Sequence, residues 1–252
     1  MSADATLQGV RVLVTRPAAQ AASLTRLLES RGAQALPLPL QTIEAVRQPA
    51  AAARALEQAA AADAWIFTSA NAVQFAQRLM PGDWPPLFAV GSATAAALLA
   101  QGRDVDLPDG AYSSEGLLAL PALQSVQGRR YAIVTGEGGR ELLASALRAR
   151  GAQVDVIAVY RRIALPYAPA MVAQVVGDAD AAIVTSGEAL TRLVDLLSET
   201  PARATLQRLP LVVPSQRVVE HARQLGFRTT PMVPDQVADS AFVQCLEQWH
   251  RS

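Results

Sequence analysis

Apolar positions fall in short runs along the chain, at 10–14, 64–67, 87–90, 131–134, 181–184 and 211–213. Each run is rich in β-branched or aromatic residues. After each comes a small polar turn and then a stretch with helical spacing. Runs that are apolar at consecutive positions predict strands covered on both faces, and strand alternating with helix predicts parallel sheets. The expected fold class is α/β.

The pattern occurs twice. Val14-Thr15 returns as Val134-Thr135, and Arg31-Gly32-Ala33-Gln34 returns as Arg150-Gly151-Ala152-Gln153, with the glycine where a left-handed helix cap belongs. Thr68-Ser69 returns as Thr185-Ser186, Gly102 as Gly226, and Pro108-Asp109 as Pro234-Asp235. Five matches in one order indicate an internal duplication, so two similar lobes are expected. A plain cut would fall near Gln127-Gly128. The stretches 36–43 and 156–163 read as extended, however, and Pro37 and Pro39 bar the first from the centre of a sheet. Read as paired connecting strands, they leave a discontinuous lobe of residues 1–40 and 163–252 and a second lobe of residues 44–157.

Charge and composition narrow the function. Twenty-two basic residues balance twenty-two acidic ones, which argues against binding to nucleic acid or an anionic membrane. All the basic residues are arginine. Without lysine there is no Schiff-base aldolase, no lysine-bound pyridoxal enzyme and no ordinary phosphate-loop NTPase. One cysteine, Cys245, and two histidines, His221 and His250, cannot build a Cys/His zinc site, a disulfide framework or an iron–sulfur cluster. Neither an export signal nor a span of about eighteen apolar residues is read, so a soluble cytoplasmic protein is expected.

In a parallel sheet, ligands gather beyond the carboxyl ends of the strands. The turns there carry Thr15-Arg16-Pro17, Thr68-Ser69-Ala70-Asn71, Gly91-Ser92-Ala93-Thr94, Thr135 with Gly136 to Arg140, Thr185-Ser186-Gly187 and Ser215-Gln216-Arg217. Helix N-termini each favour an anion by about 0.3–1 kcal/mol, so the set suits a polyanion. For any one hydroxyl, helix capping is an equal reading. Arg16 precedes Pro17 at a helix start, an unfavourable place for a cation unless an anion is near. Gly136-Glu137-Gly138-Gly139 lacks the third glycine of a dinucleotide fingerprint, since Glu141 stands there. Trp65 and Phe67 read as core, and Cys245 as a core or half-buried thiol. Tyr160, followed by Arg161-Arg162, could be a general acid beside cations or an amphipathic residue lining a hinge.

The order VLVTRP, FTSANAV, AVGSATA, YSSEGLL, TGEGGRELL, RARGAQV, VYRRI and VTSGEAL resembles the uroporphyrinogen-III synthase family, from about Val10 to Gly226. The resemblance implies two flavodoxin-like lobes joined by a two-stranded connector, with the active site in the cleft between them. It implies closure of hydroxymethylbilane to uroporphyrinogen III, with loss of water and inversion of the terminal ring through a spiro intermediate, and without a cofactor. It places Tyr160 at the family's tyrosine, the candidate acid. The candidate substrate-binding residues are then Thr15, Arg16, Thr68, Ser69, Asn71, Gly91, Ser92, Thr94, Thr135, Arg140, Thr185, Ser186, Gly187, Ser215, Gln216 and Arg217. Where relatives carry a Gly-Pro-Thr-Thr type turn, this chain has Pro214-Ser215-Gln216-Arg217. A monomer is expected, with a transient contact to the enzyme that makes hydroxymethylbilane. The competing readings are a non-catalytic two-lobed module that closes on a small anion and a nucleotide-using α/β enzyme.

Overall fold

The computed structural model describes residues 6–110, 112–139 and 141–251. From the N-terminus the elements are β1 (Arg11–Val14), α1 (Ala18–Ser30), β2 (Gln34–Pro37), β3 (Gln41–Ala45), α2 (Pro49–Ala59), β4 (Ala64–Phe67) and α3 (Ala70–Leu79). Next come β5 (Leu87–Ala89), α4 (Ser92–Leu99), α5 (Ser114–Leu118), β6 (Arg130–Gly136), α6 (Leu142–Ala149) and β7 (Gln153–Ala164). The remainder is α7 (Pro169–Asp178), β8 (Ala181–Ile183), α8 (Gly187–Leu196), α9 (Ala202–Leu206), β9 (Leu211–Val212), α10 (Gln216–Gln224) and α11 (Asp239–Arg251). All six expected runs fall on strands. None of the described helices is long and apolar enough to cross a membrane.

The chain divides into two compact units, Met1–Thr42 with Ala164–Ser252, and Ile43–Ile163. The discontinuous unit holds a sheet of order β2-β1-β8-β9 with every neighbour parallel. The continuous one is built on the order β3-β7-β6-β4-β5, parallel from β7 to β5. Beyond the last strand, a single parallel bridge extends each sheet, Val212 to Met232 in one and Phe88 to Asp106 in the other. The strands that carry Val14 and Val134 hold the same place in the two orders, as do those that lead into Thr68 and Thr185.

Successive strand residues point to opposite faces, and both faces are covered. In β4, Trp65 and Phe67 enter one apolar cluster while Ala64 and Ile66 enter another. In β1, Leu13 goes to one side and Val12 and Val14 to the other. This is why the runs read as apolar at every position. The caps repeat too: after α1 and α6, Gly32 and Gly151 take φ of 84° and 85°. The following residue then donates back into the helix, Ala33 N to Leu28 O and Ala152 N to Leu147 O, each at 3.1 Å.

The two stretches expected as connectors are sheet in part. Leu36 and Pro37 close β2 against Leu13 and Val14, on the edge where a proline is tolerated. Residues 153–160 of β7 pair with β6 through Gly136, with a register shift at Thr135/Gly136. The buried Ile157, Val159 and Tyr160 make this half of β7 a core strand.

Candidate functional site

In the continuous unit, the ends of β4 and β6 converge on one phenol carried by β7. Tyr160 lies opposite Gly136 across the register shift, and it is only 1 % exposed. Phe75 of α3 stacks on its ring with centroids 5.9 Å apart. Its hydroxyl lies 3.1 Å from Ser69 Oγ and receives a hydrogen bond of 2.9 Å from Arg162 Nη2. Alternation along β7 puts Tyr160 and Arg162 on one side of the strand. The ring is therefore part of the apolar core of this unit. The side chains meeting its hydroxyl are less enclosed, Ser69 half-buried and Arg162 exposed.

The hydroxyls around this phenol are both caps and contacts. Ser69 caps α3 by accepting from Ala72 N at 3.2 Å, while the same oxygen meets Tyr160. Thr68 Oγ1 donates to Thr135 Oγ1 at 2.8 Å, tying the end of β4 to the end of β6. Asn71 lies in the first turn of α3. Gly91 caps α4 with extended backbone and no side chain, Ser92 opens that helix, and Thr94 is buried in its first turn. Arg140 lies outside the described residues.

In the discontinuous unit two of the four candidate hydroxyls, those of Thr15 and Ser186, are taken up by the fold. Thr15 is 1 % exposed and donates to Ile183 O at 3.3 Å. The anion expected beside Arg16 is internal, because its guanidinium pairs with Asp239 at the start of α11. Ser186 caps α8 by accepting from Ala189 N at 3.1 Å, next to a half-buried Thr185. Ser215 occupies the cap of α10 without a side-chain bond and, with Gln216 and Arg217, is exposed. Gly187 and Arg217 line a cavity of about 340 Å³ that also holds Glu188, Glu220 and His221. There His221 Nε2 meets Thr191 Oγ1 at 2.7 Å. Elsewhere in this unit, burial first and Asp235 second push the Cys245 thiol up, which disfavours the thiolate and agrees with an inert cysteine.

Three residues escaped the sequence reading. A Cβ on Gly136 would lie 2.5 Å from Tyr160 Cζ and 2.9 Å from its hydroxyl, so the phenol stands where it does because residue 136 has no side chain. A Cβ on Gly139 would lie 2.6 Å from Thr135 Oγ1. Of the glycines in the partial dinucleotide fingerprint, Gly136 and Gly139 thus serve close packing, while Gly138 takes a left-handed φ of 70° with open space around it. The third is Arg162, noted only as a neighbouring cation; its spacing of two from Tyr160 on a strand was the signal available.

The family described as uroporphyrinogen-III synthase HemD matches residues 22–243. The uroporphyrinogen-III synthases of Salmonella typhimurium and Escherichia coli are each 35% identical over 245 residues, covering 94% of this chain and 99% of theirs. A crystal structure of a mutant uroporphyrinogen III synthase from Thermus thermophilus shares the fold, with a TM-score of 0.64 at 21% identity over 95% of this chain and 98% of that one. With an ordered set of motifs from β1 to α8, a match over most of its length and two relatives above 30% identity, the chain belongs to the uroporphyrinogen-III synthase family.

Proposed function

We propose that this chain closes hydroxymethylbilane to uroporphyrinogen III, with loss of water and inversion of the terminal pyrrole through a spiro intermediate, and that Tyr160 is the acid. The observation that carries the assignment is the phenol held between Ser69 Oγ and Arg162 Nη2 at the carboxyl ends of β4 and β6. Departure of the terminal hydroxymethyl oxygen leaves a cation delocalised over its pyrrole, and a proton delivered to that oxygen lets it leave as water. Positioned acids of this kind contribute roughly 10²–10⁴-fold. The remaining work is regiochemical: the substituted carbon of the terminal ring must be presented to the cation in place of the free one. Favouring that path a hundredfold takes about 2.7 kcal/mol of barrier difference, within reach of positioning alone. Residues on this chain suffice for the chemistry, and no cofactor enters it.

The substrate's eight carboxylates suit local cations and helix N-termini better than the zero net charge. Arg217, exposed in the first turn of α10, is a carboxylate contact in this reading. The two units are its flavodoxin-like lobes, supported by the order β2-β1-β8-β9 and the parallel bridge to Met232, which follow the flavodoxin order 2-1-3-4-5. The chain acts as a monomer in this reading and meets the enzyme that releases hydroxymethylbilane only in passing.

Replacing Tyr160 by Phe removes the acid and leaves the ring. The expected result is a fall in turnover of roughly 10²–10⁴-fold with an unchanged melting curve. Hydroxymethylbilane is supplied and the ring-inverted and unrearranged isomers are separated; wild-type accumulation of the inverted isomer by Tyr160→Phe would remove the acid role. A binding module without activity would leave only the unrearranged isomer, as in buffer.

A further inference from the structure

Arg161 and Arg162 are adjacent in sequence but are used differently. Arg161 points to β3, where it donates to Glu44 Oε2 at 3.0 Å and to Ala45 O at 3.2 Å. Arg162 has no carboxylate partner among the described residues; its hydrogen bond goes to the Tyr160 hydroxyl, and its guanidinium carbon lies 5.3 Å from the centre of that ring.

The donor inventory then fixes the direction of the bond from Arg162. A guanidinium can only donate, so at this contact the phenol oxygen accepts. The phenol keeps one proton to give to a substrate oxygen in the complex; toward Ser69 Oγ, 3.1 Å away, either hydroxyl can be the donor. Ser69 Oγ, already accepting from Ala72 N, has a proton of its own to turn toward the phenol when the phenol's proton is drawn away. The geometry points to Arg162 as the positioning residue of the reaction: it holds the phenol oxygen as an acceptor, so that the phenol proton is free to be given to the leaving hydroxyl, and it steadies the negative charge that remains. This rests on the reading of Tyr160 as the acid. The step balances. The carbon–oxygen bond of the terminal hydroxymethyl group breaks with its electron pair on oxygen, the phenol proton completes a water molecule, and the pyrrole keeps the positive charge. Loss of a proton from the closing ring carbon restores the phenol, so the net change is one water.

The test is a double-mutant cycle of Tyr160→Phe and Arg162→Ala, with kcat and KM for hydroxymethylbilane measured at each corner and melting curves run alongside. Arg162→Ala is expected to lower kcat by about 10- to 100-fold with KM within about twofold, and to add less than about twofold when combined with Tyr160→Phe. Arg162→Lys, which keeps a cationic donor at the same strand position, is expected to recover part of kcat. A raised KM with unchanged kcat would make Arg162 a carboxylate contact and overturn the inference. An equal loss in both backgrounds would overturn it too, since the arginine would then act without the phenol. Full activity of Arg162→Ala beside an inactive Tyr160→Phe overturns this inference alone, whereas a fully active Tyr160→Phe overturns the acid reading and this one with it.

Discussion

The phenol is placed by an absence. Gly136 is the only residue type that fits beneath Tyr160, because any Cβ there would sit inside the ring's contact distance. Gly136→Ala is expected to push the ring aside while leaving β6 paired. A displacement of about 1 Å costs about a hundredfold in rate, so a loss of that order with a preserved circular dichroism spectrum is the expected outcome. Wild-type turnover would mean that the hydroxyl's position is not critical.

At the scale of elements, both sheets start their central strands with the same clamp. Asp180, just before β8, accepts from Arg11 N at 2.9 Å and donates its own N–H to Arg11 O at 2.8 Å. Asp63, just before β4, does the same with Arg130 N and O, both at 2.8 Å. The guanidinium of Arg11 returns to Asp180 through Nε and Nη2 at 3.2 and 3.0 Å, whereas that of Arg130 turns to Asp155 on β7. The hydrogen bonds from Arg11 hold the Asp180 carboxyl below its ordinary range, against the opposing effect of burial. A carboxyl lowered in the folded state binds fewer protons there than in the unfolded chain, so its stabilisation is complete above its unfolded pKa, about 3.9. It is lost as pH falls through the folded value. Asp180→Asn is expected to flatten the acid limb of stability, measured as urea midpoints from about pH 6 to about pH 3. The same slope in wild type and variant would show that the clamp does not couple to protons.

Across the whole molecule, continuity separates the two units. Residues 43–163 form theirs from one stretch, while the other joins the first forty-two residues to the last eighty-nine. Its central pairing, β1 to β8, brings Arg11 to Asp180 across 169 positions. Contacts that close long loops cost more entropy before they stabilise anything, and they form late. Pulse-labelled hydrogen exchange during refolding is expected to protect β4 and β6 before β1 and β8. Simultaneous protection of all four would mean that the whole chain folds as one cooperative unit.

The apolar runs, the paired caps at Gly32 and Gly151 and the repeated Thr-Ser turns were legible from sequence alone because each depends on neighbours a few residues away: strand alternation, left-handed backbone, an N–H three residues on. The same locality made the capping role of Ser69 and Ser186 readable. The pairing of Arg16 with Asp239 and the seat that Gly136 leaves for Tyr160 were not. Each is set by which strand or helix packs beside which, and that selection is made by burial summed over the whole unit, leaving no mark in the spacing of the residues it brings together.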